Sequence, residues 1–319
     1  MAKQKLVMIG NGMAGLRTIE EILERSQSQF DITIIGKEPY PNYNRIMLSN
    51  ILQKKMTVED TIMNSYDWYQ ENNIELINND PVEKVDKENK IVTTSKGIEV
   101  EYDICIFATG SKAFVLPIPG SNLPSVIGWR TIDDTNKMIE IAQTKKHAVV
   151  IGGGLLGLEC ARGLLDQGME VTVLHLADWL MEMQLDRKAG EMLKADLEKQ
   201  GMKIELQANS KEIIGDKDVE AIKLADGRVI ETDLVVMAVG IRPYTEVAKD
   251  SGLDVNRGIV VNDYMQTSDS HIYAVGECAE HDGKVYGLVA PLYEQGKVLA
   301  DYLTGKETKG YKGSTTFTS

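Results

Sequence analysis

The chain has 319 residues, 43% hydrophobic and 26% charged, which is enough for two ordinary domains with real cores and unlike a disordered or collagen-like chain. Its 35 basic and 48 acidic residues leave a formal charge of −13, which repels phosphate backbones and argues against a nucleic-acid partner. Three widely spaced cysteines, Cys105, Cys160 and Cys278, exclude a disulfide scaffold, a zinc knuckle and an iron–sulfur ligand set, and suit a reducing cytoplasm.

A strand is expected over residues 6–9, too close to the N-terminus to leave room for a secretory signal. The turn Gly10-Asn11-Gly12-Met13-Ala14-Gly15 follows. A helical pattern then runs through Leu16, Ile19, Ile22 and Leu23, and a second strand spans 31–35. This is a β-α-β unit whose short apolar strands read as buried and parallel. Residues 59–73 are expected to form a helix with Ile62, Tyr66 and Tyr69 on one face. Short strands and turns fill 74–109 and end in the apolar run 104–108, then Thr109-Gly110. Pro117, Pro119 and Pro124 mark a crossover before a helix expected over 134–145.

The opening pattern then returns. A strand over 148–151 leads into the turn Gly152-Gly153-Gly154-Leu155-Leu156-Gly157, a helix over about 158–165 and a strand over 171–174. Strands fill 203–239 and end at Gly240, and a last helix is expected over 292–303. The Lys-, Thr-, Gly- and Ser-rich residues after Gly305 read as a linker. The longest apolar run, 148–158, has 11 residues, against the roughly 18 that a membrane helix needs, so no membrane partner is expected. Two long copies of one pattern imply two nucleotide-binding domains and not a solenoid.

Both glycine turns fit G-x-G-x-x-G after a strand and at the opening of a helix. The first glycine allows the tight turn, the second lets backbone approach a pyrophosphate, and the third lets helix pack on strand. A single such turn can be merely structural, whereas two in matching contexts point to two dinucleotides. The expected contacts are Gly10, Gly12, Met13, Ala14 and Gly15 for one, and Gly152, Gly154, Leu155, Leu156 and Gly157 for the other. A carboxylate at the end of the second strand normally holds the adenosine ribose. Glu38 is the candidate in the first unit, with an exposed surface glutamate as the alternative. In the second unit His175 stands at that place. It either donates to the ribose hydroxyl or a 2′-phosphate, with weak discrimination against NADPH, or simply fills the strand end. The four histidines do not cluster, so no metal site is expected, and the Met-rich stretch 180–184 reads as packing.

Ala108-Thr109-Gly110-Ser111 with Pro117-Ile118-Pro119-Gly120, Val239-Gly240-Ile241-Arg242-Pro243, and Ile272 to Ala279 with Gly276-Glu277 occur in the order typical of two-dinucleotide-domain flavoproteins. The stretches MIGNGMAG, Glu38-Pro39 with Tyr43-Asn44-Arg45, GGLLGLE, Gln184-Leu185-Asp186 and GLDVNRGIVVNDYMQTSDSHIYAVGECAEHDGKVYGLVAP narrow the match. With them the chain resembles the N-terminal flavin and NAD region of the NAD(P)H-dependent nitrite reductase large subunit. The related electron-transfer subunit of assimilatory nitrate reductases is equally similar.

The resemblance implies an α/β fold of two Rossmann-like three-layer dinucleotide-binding domains, the second inserted in the first. Residues 1–111 and 242–319 would bind FAD and 112–241 NAD(P)H. It implies hydride transfer from NAD(P)H to FAD, then electron transfer to an iron–sulfur/siroheme module on the same or another chain. Arg45 matches an arginine that contacts FAD, and Arg130 one near the domain junction. Ala108, Thr109, Gly110, Gly240, Gly276 and Glu277 match cofactor-contacting positions. Glu159 matches an acidic residue that reaches toward nicotinamide and flavin, and its alternative is a helix N-terminal glutamate favoured by the macrodipole. Related reductases carry a lysine, and peroxidases a redox cysteine, where Leu48-Ser49-Asn50 stands here, which argues against thiol-based peroxide chemistry. The readings left open are an NADH oxidase- or peroxidase-like protein, a rubredoxin or ferredoxin reductase-like protein, and a non-catalytic nucleotide-binding fragment. A homodimer is a further assembly left open.

Overall fold

Runs of β-branched and aliphatic residues set two parallel sheets. Leu6-Val7-Met8-Ile9 and Ile104-Cys105-Ile106-Phe107 are buried on both faces, as are Ala148-Val149-Val150-Ile151 and Leu234-Val235-Val236-Met237. A strand covered on both sides needs no polar alternation, and such strands pair in parallel. The computed structural model describes residues 3–315. The chain divides into two units: one takes the chain up to Asn44, Ile62–Ser111 and the chain from Arg242 onward, and the other takes Arg45–Thr61 and Lys112–Ile241. The segment Arg45–Thr61, which the sequence reading kept with the first domain, groups here with the second unit.

In the first unit the sheet order is Ile272–Ala274, Ile104–Phe107, Gln4–Ile9, Phe30–Ile35, Ile74–Ile77. Every neighbouring pair is parallel, with Ile9 opposite both Ile35 and Phe107. Successive strands move outward from Gln4–Ile9, and the chain then returns to that strand's other side, so the order reverses between Gln4–Ile9 and Ile104–Phe107. The second unit repeats this. Its sheet runs Val126–Gly128, Leu234–Met237, His147–Ile151, Glu170–Leu174, Lys203–Glu205, all parallel. Its reversal lies between His147–Ile151 and Leu234–Met237. In each unit a three-stranded antiparallel sheet, Val82–Asp86 to Glu99–Glu101 or Ser210–Ile214 to Val229–Glu231, supplies the crossover. Open α/β sheets bind ligands at the carboxyl ends of the strands flanking such a reversal, and both glycine turns lie there.

The helix Met13–Arg25 follows the first turn and buries Leu16, Ile19 and Ile22 against the sheet. Its last turn is tied to the helix Val289–Leu303. Arg25, nearly buried, reaches Asp301 at 2.6 Å and Glu21 at 2.6 Å. Gly296 allows that helix to come close, since a Cβ there would lie 2.5 Å from Thr18 Oγ1. In the second unit the helix Leu155–Asp166 lies over its sheet with Leu158, Cys160, Ala161 and Leu164 buried. Among the described residues no helix is long and apolar enough to cross a membrane.

Two expectations need correction. Residues 59–73 are not one helix: a 3-10 turn, the strand Ile62–Asn64 and the helix Tyr66–Glu71 share that stretch. The strand pairs with Asn42–Tyr43, and Ser65 caps the helix by accepting from Trp68 N. Nor are the residues after Gly305 all linker-like. Tyr311 is buried against Tyr286 and His281 and donates its amide to Asp263 O at 2.6 Å. Residues 316–319 of that expected linker lie outside the described residues.

Candidate functional site

The three glycines of each turn do three different things. Gly10 has φ +116°, and a Cβ there would lie 2.2 Å from Ala108 O; Gly152 has φ +119°, and its Cβ would lie 2.3 Å from Ala238 O. Both are forced by backbone shape and by the neighbouring strand end. A Cβ at Gly15 would lie 3.0 Å from Gly10 O and Ala108 Cβ, and one at Gly157 would lie 1.9 Å from Gly152 O. These two set helix–strand contact. Gly12 and Gly154 differ. Their backbones are extended, at φ −90° and −85°, which any residue adopts. A Cβ at either would meet nothing within 4 Å.

Among the described residues no contact therefore requires glycine at positions 12 and 154. Each is the N-cap of its helix, neither helix has a side-chain cap, and neither has an acidic residue in its first turn. The first-turn amides of a helix lack intrahelical partners, and the macrodipole favours an anion there. A bare N-cap below an open space is a cradle for a phosphate group. A pyrophosphate fits both, and a side chain at either position would fill the cradle.

In the first unit the turn is held from behind. Asn42 Nδ2 donates to Asn11 O at 3.1 Å, and the Tyr69 hydroxyl donates to Asn11 Oδ1 at 2.8 Å while accepting from Asn42 N at 3.1 Å. Burial pushes the Tyr69 phenol up to about 12, so it stays a donor at any physiological pH. Glu38 follows the second strand, and its Oε2 accepts from the Tyr43 hydroxyl at 2.7 Å. Gly276 packs against Ala14, and its amide donates to Gln295 Oε1 at 2.9 Å. Gln295 is fully buried, and its Nε2 has no partner among the described residues, which leaves a donor beside the cradle. Glu277 accepts from Ser111 Oγ at 2.7 Å, and Thr109 Oγ1 donates to Tyr244 O at 2.8 Å. Gly110 has φ +66° and its carbonyl accepts from Tyr244 N. Met13, Ala14, Ala108, Gly110, Gly276 and Glu277 thus gather at the carboxyl ends of the flanking strands.

In the second unit Leu155 and Leu156 are 57% and 40% exposed beside the cradle, and Gly240 has φ +111° in open space. Arg45 donates to the carbonyl of Arg130 at 2.7 Å, so the two arginines singled out from sequence come together here. Glu159 is half-buried; burial raises its carboxyl, and the nearby Ser49 hydroxyl only partly offsets this. Ser49 was not foreseen as a partner; the sequence marked its neighbourhood only for the lysine or cysteine it lacks. His175 stands where expected, but it is buried and its ring is already engaged. Nδ1 accepts from Gly153 N at 3.1 Å and Nε2 meets Glu182 Oε2 at 2.9 Å. It holds the turn and has no nitrogen left for a ribose hydroxyl.

All three cysteines are buried and free, and burial raises each thiol. None is poised as a thiolate. Among the described residues no group of His, Cys, Asp and Glu is placed to hold a metal ion.

Two bare helix N-termini at two sheet reversals suit two dinucleotides, the arrangement of a two-nucleotide oxidoreductase. The chain belongs to the pyridine nucleotide-disulphide oxidoreductase family, whose pattern matches residues 4–296. Its cofactors are FAD and NAD(P)H. It is similar to nitrite reductase [NAD(P)H] of Bacillus subtilis, 58% identical over 98% of this chain and 39% of that protein. It is also similar to the assimilatory nitrate reductase electron transfer subunit of the same organism, 48% identical over 98% of this chain and 41% of that protein. The chain thus spans about two-fifths of the length of these relatives. Among solved structures, a ferredoxin reductase from Rhodopseudomonas palustris matches with TM-score 0.89 and 29% identity, over 98% of this chain and 78% of that one.

Proposed function

We propose that the chain is the NAD(P)H-oxidising flavoprotein part of a nitrite- or nitrate-reducing system. The first unit would hold FAD and the second NAD(P)H. The observation that supports this reading is the pair of second glycines, Gly12 and Gly154, each an uncapped helix N-terminus below open space that suits a phosphate group. Bound FAD would supply the acceptor for a nicotinamide hydride and release the electrons onward.

The chain's own residues bind and orient. Gly10, Gly12 and Gly15 shape one cradle around the backbone of Met13 and Ala14, and Gly152, Gly154 and Gly157 shape the other around Leu155 and Leu156. Glu38, held by Tyr43, would accept from an adenosine ribose hydroxyl. Glu277, held by Ser111, lies at the strand ends beside Gly110 and Gly276. Glu159, with its raised carboxyl, is the side chain we assign to the nicotinamide end. Arg45 and Arg130 supply positive charge to a cofactor of opposite sign.

The proposed acceptor is an iron–sulfur/siroheme module, on the same or another chain, and the three buried cysteines do not contribute its ligands. Free thiols suit a cytoplasmic setting. A second reading, transfer to a separate ferredoxin-like carrier, is favoured by the similarity to the Rhodopseudomonas palustris reductase. In an assay with NADH, the FAD-loaded chain should reduce ferricyanide and form no ammonium from nitrite until an iron–sulfur and siroheme protein is added. Ammonium formed at turnover rates without that protein would overturn the electron route, and no ferricyanide reduction would overturn the reductase reading itself.

A further inference from the structure

The nicotinamide-nucleotide reading leaves one place unfilled. The strand end after Glu170–Leu174 is where a carboxylate would read the adenosine ribose, yet His175 stands there, engaged on both sides. A backbone N–H can only donate, so Nδ1 must accept from Gly153 and the proton of the neutral ring sits on Nε2. That proton points at Glu182.

Glu182 is fixed beside the turn by more than this bond. Gly153 is pinned at both ends: its amide donates to His175 Nδ1, and its carbonyl accepts from Met181 N at 3.1 Å. Leu180, next to Met181, is fully buried against Gly153. Leu185 N returns to Met181 O at 2.8 Å, and Trp179 Nε1 donates to Leu185 O at 3.0 Å. The segment that carries Glu182 is therefore locked to the glycine turn. The side chain of His175 is 8% exposed and that of Glu182 is 36% exposed. Oε2 is held by the ring, and Oε1 has no hydrogen-bond partner among the described residues. The neighbouring carboxylates are committed elsewhere: Asp178 pairs with Arg187, and Asp186 caps the next helix by accepting from Ala189 N at 2.8 Å. No lysine or arginine lies between His175 and Asp186. Arg187, just beyond, lies over the Trp179 ring as well as pairing with Asp178.

We propose that Glu182, positioned by His175, is the residue that selects the nicotinamide nucleotide, accepting from the adenosine 2′-hydroxyl of NAD(H) and repelling the 2′-phosphate of NADP(H). This rests on the second unit being the nicotinamide site. It reverses the expectation from sequence, where a histidine at the strand end implied weak discrimination. His175 is a positioning residue: it aims the carboxylate and does not touch the nucleotide.

Calorimetric titration of the FAD-loaded protein with NAD+ and with NADP+ tests this. Wild type should bind NAD+ at least about tenfold more tightly than NADP+, the worth of one charge-assisted hydrogen bond. Glu182→Gln should shrink that ratio by about the same factor without lowering the melting temperature. His175→Asn keeps an acceptor for Gly153 N–H and removes the Nε2 donor, and it should shift the ratio in the same direction. Tighter binding of NADP+ by wild type, or an unaltered ratio in either variant, overturns the proposal. Failure of wild type to bind either nucleotide would instead overturn the nicotinamide reading of this unit, and the proposal with it.

Discussion

Replacing Gly154 by aspartate should make the protein more stable and unable to hold its nucleotide. Position 154 is an N-cap with φ −85° and ψ −179°, and a Cβ there meets nothing within 4 Å. Aspartate suits that conformation and can accept from a first-turn amide, which is worth a few tenths of a kcal/mol over glycine. Losing a glycine from the unfolded chain contributes about 0.5 kcal/mol more, and a negative charge at the helix N-terminus about as much again. The sum is about 1 kcal/mol, a rise in melting temperature of about 1–3 °C for a chain of this size. The same carboxylate would occupy the cradle proposed for a phosphate, and two like charges about 4 Å apart repel each other. At an effective dielectric near 20 the repulsion is about 4 kcal/mol, roughly a thousandfold in affinity. A thermal melt without nucleotide and a calorimetric titration with NAD+ read the two effects separately. Wild-type affinity in Gly154→Asp would refute the cradle, and a fall of several degrees would refute the open space above the turn.

Gly152→Ala should do the opposite, because φ is +119° and the added Cβ would lie 2.3 Å from Ala238 O; a loss of about 2 kcal/mol or more is expected in a denaturant melt. Tyr69→Phe removes the donor to Asn11 Oδ1 and the acceptor for Asn42 N, so it should cost about 1–3 kcal/mol and speed FAD release on dilution. Burial raises the Glu159 carboxyl despite the nearby Ser49 hydroxyl. With a folded pKa above the unfolded one, this group favours folding at low pH, and that benefit is lost as pH rises through the folded value. The melting temperature of wild type relative to Glu159→Gln should therefore fall from acid toward neutral pH, and a difference independent of pH would contradict the assignment.

The glycine turns were legible because their meaning is local: spacing, a preceding strand and a following helix suffice. The division of labour among the glycines was also readable in outline, although the empty space above Gly12 and Gly154 appears only in three dimensions. What could not be read depends on distant partners. The sequence puts a histidine at the end of a strand, but Gly153 and Glu182, which hold its ring, belong to the preceding turn and the following loop. Ser49 and Glu159 lie in separate parts of the chain, so neither predicts the other. Ile62, Tyr66 and Tyr69 fit a helical spacing, yet Ile62–Asn64 becomes a strand because Asn42–Tyr43 offers it an edge. Tyr311 sits in a polar stretch that reads as linker until the pocket formed with Tyr286 and His281 is seen.

Anaerobic addition of equimolar NADH to the FAD-loaded chain, followed by flavin absorbance, tests the central claim most directly. The account predicts that the flavin bleaches fully in wild type, and that in Gly154→Asp it stays oxidised although FAD remains bound. Flavin that stays oxidised in wild type, or that bleaches equally in the variant, would contradict a nicotinamide site at the second glycine turn serving FAD at the first.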